Sequence, residues 1–286
     1  MKSKVGAKSY RSTAGSAGAF IVLLIIALFM VLPMVFVVSN AFKPLSELFY
    51  FPPKLFPINP TLDNFKNLGS LLGDSWLPFS RYVFNSLLVT VIGTAGNIVF
   101  SSMAAYVLSK HKFPGRNVLF QLVVLSLLFS TVVTGIPNYI IITKLHMINT
   151  IWALILPVLP SSLGLFLMKQ FMDQMIPDTL LEAARLDGAG ENRIFLHICL
   201  PLVRPAWMTL LIFSFQGIWG STGGAYIFDE KLKTLPTALS NIVSSGISRT
   251  GVSSAVSLLL IIPPIVVFLF AQSNVMQTMA TSGMKD

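Results

Sequence analysis

The side chains able to do chemistry are few and, with one exception, scattered. His111, His146 and His197 lack the His-Glu-x-x-His spacing that sets two imidazoles on one helix face around zinc, and no Gly-x-Ser-x-Gly presents a serine nucleophile. Cys199 is the only cysteine, which leaves neither an intrachain disulfide nor a metal-binding pair. No Gly-x-x-x-x-Gly-Lys-Ser/Thr loop is present to cradle the phosphates of ATP, so any work the chain performs draws on a gradient or a partner. The exception is LEAARLDGAGENRIFLHICLP at 181–201, where Glu182, Arg185, Asp187, Glu191 and Arg193 fall within twelve positions.

Those ions stand out because their surroundings are apolar. Hydrophobic residues make up 54% of the 286 and charged ones 11%, against roughly 25% charged in a soluble domain; the mean hydropathy is +0.76. Six stretches contain no Asp, Glu, Lys or Arg: 12–42, 82–109, 117–143, 145–168, 205–228 and 250–284. Each reaches the roughly 20 residues a helix needs to cross about 30 Å of hydrocarbon. The apolar runs are continuous rather than alternating, which favours helices over barrel strands. The expected fold is an all-α integral membrane protein with six transmembrane helices near 19–41, 82–109, 117–143, 147–168, 205–226 and 252–274. A basic segment, 1–18, precedes them and a short tail, 275–286, follows. Lys2, Lys4, Lys8 and Arg11 followed by Ser39-Asn40-Ala41 could suggest a cleaved signal. The apolar run 19–38 is longer than the roughly 7 to 15 residues of a signal core, so the first span is expected to be retained.

Orientation follows from the basic residues. With the N-terminus in the cytoplasm, inside segments hold twelve of the 20 Lys and Arg, and the short turn 110–116 carries three bases and no acid, whereas the opposite turn around Lys144 carries one base. Both termini and the segment 169–204 are therefore expected to be cytoplasmic. This bias accounts for the net charge of +9, which gives no support to nucleic-acid binding.

Within the spans, all eleven acids lie outside the expected cores, which weakens an ion-coupled carrier, although backbone carbonyl sites for sodium stay open. In the second span Ser86, Thr90, Gly93 with Thr94, Asn97, Ser101 and Ala105 recur at steps of three or four, one helix face that meets protein rather than lipid. In the third, Ser126, Ser130, Thr134 and Asn138 recur every four residues beside Pro137, which can kink a helix. That face is a candidate path for a hydroxylated solute, with plain packing as the alternative. Gln216 and Trp219 in the fifth span are weaker candidates: aromatic faces stack on sugar rings, but Trp also anchors helices at interfaces. Outside, 43–81 is rich in proline, and Asp229, Glu230, Lys231 and Lys233 make a mixed-sign loop, either a docking surface for an external protein or a solvated connector.

Residues 169–205 hold nine of the 31 charged residues and five of the 11 acids. Pro177-Asp178-Thr179 suits a helix start, since proline is tolerated in the first turn and an acid there meets the positive end of the macrodipole. Leu180, Ala183, Ala184 and Asp187 then share a face with Leu181 adjoining it, and Glu182 and Arg185 are spaced to pair weakly. Gly188 and Gly190 stop the helix; a second runs from Glu191 to Leu200 before Pro201 and Pro205 turn the chain toward the fifth span. An exposed apolar side with acids in its first turn calls for a protein groove rather than an anionic lipid surface.

These residues also carry a resemblance. Glu182-Ala183-Ala184, three residues, Gly188, nine residues, then Ile198-Cys199-Leu200-Pro201 resembles the EAA motif of ABC importer permeases, E-A-A-x(3)-G-x(9)-I-x-L-P. Asn85-Ser86-Leu87, the stretch 105–110 with Phe113-Pro114-Gly115-Arg116, Asp187-Gly188-Ala189 and Thr234-Leu235-Pro236 extend it, from about Val31 onward, to the maltose-type carbohydrate-uptake permeases of the six-helix kind. The resemblance implies the type I ABC importer permease fold, with a cytoplasmic coupling helix between helices 4 and 5. It assigns ATPase coupling to Glu182, Ala183, Ala184, Asp187 and Gly188. It implies a second homologous permease, two ATP-binding subunits that hold ATP and magnesium, an external solute-binding protein that meets the loop before the last span, and a sugar or oligosaccharide substrate. No cofactor is expected on this chain, which would sit in a bacterial inner membrane and not itself be an enzyme. Two stretches depart from the pattern: Gly220-Ser221-Thr222-Gly223-Gly224 where the family often has Asn and an acid after the tryptophan, and the tail 272–286, in which Gln272, Gln277, Met279 and Lys285 keep register. A gradient-driven carrier and a noncatalytic membrane scaffold are the competing readings.

Overall fold

The uncharged stretches become helices, though not always single ones. The computed structural model describes residues 13–73, 77–223, 225–243 and 249–282, and among these the regular structure is helical throughout. In chain order the helices are α1 (Thr13–Ala41), α2 (Leu45–Leu48), α3 (Asp63–Gly73), α4 (Phe79–Lys110), α5 (Arg116–Ser126), α6 (Thr131–Lys144), α7 (Trp152–Ile155), α8 (Ser162–Met175), α9 (Asp178–Leu186), α10 (Glu191–Ile194), α11 (Leu200–Leu202), α12 (Arg204–Trp219), α13 (Leu235–Val243) and α14 (Thr250–Ser282). Among the described residues four segments are long and apolar enough to cross a bilayer: Ala17–Ala41, Phe79–Lys110, Trp152–Met175 and Thr250–Ser273. A fifth, Glu191–Leu202 with Arg204–Trp219, passes only as a pair bent by 78°.

The departures from straight spans have local causes. The third expected span is two helices, α5 and α6, parted at 127–130, where Ser130 Oγ accepts the amide of Val132 at 3.3 Å and caps α6. The break thus lies seven residues before Pro137, and Ser126 and Ser130 do not share one continuous face. The fourth is interrupted between α7 and α8 by a tight turn, Leu156–Val158, where Pro157 and Pro160 cannot donate to the helical ladder. The fifth bends at Val203 (φ −92°, ψ 23°), between Pro201 and Pro205. Its straight part, α12, has 16 residues and ends at Trp219 rather than near 226; at 1.5 Å per residue it is about 24 Å long.

The chain divides into two units. One comprises residues 1–69 with 246–258. Its proline-rich segment is tied down from within: buried Lys43 donates to Asn40 Oδ1 (2.7 Å) and to the carbonyl of Lys54, buried Glu47 accepts the amides of Ile58 and Asn59 (2.8 and 2.9 Å), and Asn64 Nδ2 donates to the carbonyls of Ala41 and Lys43 (2.9 and 2.8 Å). The apolar residues of α1 from Phe20 to Leu32 are exposed in the isolated chain, as a lipid-facing or partner-facing helix requires.

The other unit comprises residues 70–245 with 259–286, and α4 is its axis, packed against α8 and α12. The stripe expected to meet protein does so: Ser86, Thr90, Gly93, Thr94, Asn97, Ser101 and Ala105 are all buried. Close approach depends on Gly164, where a Cβ would come 2.5 Å from Ser101 Oγ and 3.1 Å from Leu210 Cδ1. Asn97 ties three pieces together, donating to the carbonyl of Val158 (2.7 Å) and accepting from Ser214 Oγ (2.9 Å). The carbonyl of Val158 belongs to the interrupted turn, so a side chain supplies a donor there in place of the regular ladder.

Candidate functional site

At the Lys110 end of α4 lies the segment that gathers the ions. Pro177 stands just before α9 with φ −67° and Asp178 occupies its first turn. Leu181 (1% exposed) and Ala184 (9%) enter a cluster with Met172, Ile176, Ile194 and Cys199. The face that turns inward is therefore Leu181 with Ala184. Leu180, Ala183 and Asp187, which share the expected face with Ala184, stay outside, beside Glu182 and Leu186, the last 89% exposed. α9 ends in a full Schellman motif: the Gly188 amide bonds the carbonyl of Arg185 and the Ala189 amide that of Ala184, each at 3.0 Å. Gly188 adopts φ +78°, which a residue with a Cβ reaches only with strain. The glycine of the motif is thus demanded by the turn that follows the Glu-Ala-Ala helix.

Charge then fixes this segment onto α4. Glu191, first residue of α10, accepts from Tyr106 Oη (2.6 Å) and Arg185 Nε (2.8 Å), with His111 Nε2 at 3.4 Å. Arg185 turns to Glu191 rather than to Glu182, which has no ion-pair partner among the described residues. Lys110 Nζ donates to the carbonyl of Ile176 (2.6 Å) and to Asp178 Oδ1 (2.9 Å). Ser109 Oγ donates to Asp173 Oδ1 (2.5 Å), whose other oxygen accepts from Lys169 (2.6 Å), a buried cation that also lies 4.3 Å from the Phe120 ring centroid. The hydrogen bond from Arg185 and then that from Tyr106 hold Glu191 below the ordinary glutamate range. The Lys110 hydrogen bond does the same for Asp178. In the sequence nothing but their place in 105–110 marks Tyr106, Ser109 and Lys110. Their acidic partners stand 64 to 85 residues further on.

At the Phe79 end, α4 holds a second segment. Asn85 Nδ2 donates to the carbonyls of Lys231 (2.9 Å) and Lys233 (3.0 Å), and Ser86 Oγ accepts the amide of Leu235 (2.6 Å). Tyr82 donates to Glu230 Oε1 (2.8 Å), while Lys233 donates to Glu230 Oε2 (2.5 Å). Burial pushes the Glu230 carboxyl up, but these two donors outweigh it and leave it below its usual range. Asn149, in the left-handed region at φ +62°, accepts the amides of Phe228 and Asp229 (3.1 and 2.7 Å), and Asp229 Oδ1 accepts that of Lys231 (3.0 Å). The four docking candidates therefore sit on a shaped, anchored loop.

Both segments fall within residues 97–281, which match the family described as binding-protein-dependent transport system inner membrane component. The chain belongs to that family. It is 31% identical over 271 residues to the protein LplC of Bacillus subtilis strain 168, with 89% of each chain covered. It is 29% identical over 264 residues to AraQ, the arabinooligosaccharides transport system permease protein of the same organism, covering 92% of this chain and 93% of the relative. Over 232 residues it is 31% identical to UgpE, the sn-glycerol-3-phosphate transport system permease protein of Yersinia enterocolitica, with coverages of 79% and 82%. Among solved structures, a chain of a bacterial ABC transporter involved in the import of the acidic polysaccharide alginate has a TM-score of 0.74 at 20% identity, covering 93% of this chain and 99% of that one. At that identity the likeness is one of fold.

In this inner membrane component the remaining candidates separate. Ser130, Thr134, Asn138 and Gln216 are exposed on the isolated chain, with Thr134 Oγ1 reaching back 3.5 Å to the carbonyl of Ser130. Trp219 is buried, stacked on Phe215 at 6.0 Å, and its Nε1 donates to the carbonyl of Leu260 at 3.0 Å. Four residues after Leu260 stands Pro264, which has no amide proton, so α14 leaves that carbonyl without its helical donor and the indole supplies one. The polar handle of Trp219 is spent on a helix contact.

Proposed function

We propose that the chain is the transmembrane permease subunit of an ATP-driven ABC importer for a sugar or oligosaccharide. The observation that carries this is α9: a short helix with the Glu-Ala-Ala spacing, one face buried, the other presenting Glu182, Ala183 and Leu186, and a left-handed Gly188 closing it. On this reading Glu182, Ala183, Ala184, Asp187 and Gly188 form the coupling helix that seats in a cleft of two cytoplasmic ATP-binding subunits. Those subunits hold ATP and magnesium, and this chain binds no cofactor. Their closure swings the chain and a second, homologous permease between inward-facing and outward-facing arrangements. Six spans cross the bacterial inner membrane, the third as α5 and α6 and the fifth bent at Val203, with both termini and 169–204 in the cytoplasm. Ser130, Thr134, Asn138 and Gln216 face the path shared with the second permease, which is why they lack cover here. The anchored loop with Asp229, Glu230, Lys231 and Lys233 meets the external solute-binding protein, whose pocket sets which saccharide is carried. The arabinooligosaccharide relative supports the substrate class.

Glu182→Lys and Gly188→Trp test it. Each should abolish co-purification of the ATP-binding subunits or uncouple transport, with the helices still inserted. Wild-type association and uptake in both would overturn the reading. Uptake by the purified chain alone, indifferent to ATP, would instead establish a gradient-driven carrier.

A further inference from the structure

Glu191 is gripped by three elements at once: α4 through the Tyr106 hydroxyl, α9 through Arg185, and the turn after α4 through His111. α4 is also the helix whose other end anchors the loop 228–235. A displacement of α9 can reach α4 by apolar packing, which is non-directional, or through directional bonds made to a charge, which resist both separation and rotation. We infer that Glu191, held between Tyr106 and Arg185, is the positioning residue through which movement of α9 is passed to α4. This rests on the importer reading above and adds to it the residues that carry motion from the ATPase-facing helix into the membrane. The Lys110–Asp178 contact is a second link, but the Asp178 side chain is 75% exposed against 46% for Glu191, and its pairing is correspondingly weaker.

The test separates packing from the directional bond. Tyr106→Phe removes one hydroxyl and keeps the ring, which lies 5.2 Å from His111 and 5.4 Å from Phe195. Glu191→Gln keeps shape and removes charge. The full chain is purified with its native permease and ATP-binding partners in lipid nanodiscs, with a spin label at Phe84→Cys, an exposed position on α4. The label spectrum and ATP hydrolysis are recorded with and without magnesium-ATP. The native background shows an ATP-dependent spectral change. In each variant assembly persists and that change falls at least about threefold, less than the roughly tenfold of a buried hydrogen bond to a charged group because the Glu191 side chain is half-exposed. Glu191→Gln weakens the Tyr106 bond together with the Arg185 and His111 pairings, so the double variant should lose less than the sum of the two single losses. A full spectral change in either variant, additive losses, or a label that ignores ATP in an assembled native complex overturns the inference alone. Loss of assembly in both variants makes the contact purely structural and overturns it too. A native complex that neither assembles nor hydrolyses ATP overturns the importer reading with it.

Discussion

The two ends of α4 hold their segments by different means. At the Phe79 end, Asn85 and Ser86 bond to main-chain groups of 231–235, and only Glu230 brings a carboxylate. At the Lys110 end three carboxylates, Asp173, Asp178 and Glu191, are each met by a named donor of α4. Main-chain bonds fix the shape of a loop with few demands on side-chain identity, which on the importer reading suits a surface presented to an external protein. Bonds to carboxylates depend on the identity of both partners and are stronger per bond, which on the importer reading suits a segment that carries force.

Both grips require a well-seated α4, and unseating it should disturb the molecule most. Gly164→Leu places a side chain where a Cβ already meets Ser101 and Leu210. Overpacking of this kind costs about 3 kcal/mol and should loosen both ends together. A lowered melting temperature in detergent, with faster proteolysis at both 178–191 and 228–235, is the expected result. Loosening confined to one end would show that the ends are held independently of the helix between them.

Next in size is Asn85→Ala. Asn85 is 1% exposed and its amide serves two carbonyls, so its removal should cost about 2 kcal/mol. Proteolysis of the loop 228–235 should speed up while 178–191 is unchanged. Equal loosening of both segments would break the distinction between the ends.

How much of this was legible in the sequence differs along the same axis. The helix, glycine turn and helix at 178–202 follow from Pro177, Gly188 and the cluster of ions, and the buried stripe of α4 follows from its steps of three and four. Both are signals within about twenty residues of chain. The grip of Tyr82 and Asn85 on 230–233 spans about 150 residues, and no local pattern encodes it. Membership in 105–110 flagged Tyr106 but not its partner Glu191. The break after Ser126 was half legible: Ser130 is a sound helix cap ahead of an apolar run, but Pro137 is the louder signal and draws attention to the wrong turn. Trp219 shows the opposite case. Its indole reads either as a face for a sugar ring or as a helix anchor, and the Nε1 bond to the carbonyl of Leu260, which Pro264, 45 positions on, leaves without a helical donor, has no local signal.

Of the residues on this loop, Lys231 should matter least to stability. Lys231 contributes its carbonyl to Asn85 and Arg81 and its amide to Asp229, while its side chain is exposed. Lys231→Ala preserves every one of those bonds, so stability should change by no more than about 0.5 kcal/mol. Lys231→Pro removes the amide proton and should speed proteolysis of the loop, because the turn at Asp229 then loses the donor that closes it. If alanine costs as much as Asn85→Ala, the loop is held by its side chains after all and the two ends of α4 work alike. If alanine leaves the melting temperature unchanged yet weakens capture of the external binding protein, the Lys231 side chain is free for docking because its main-chain bonds, with Glu230 held by Tyr82 and Lys233, keep the loop in shape.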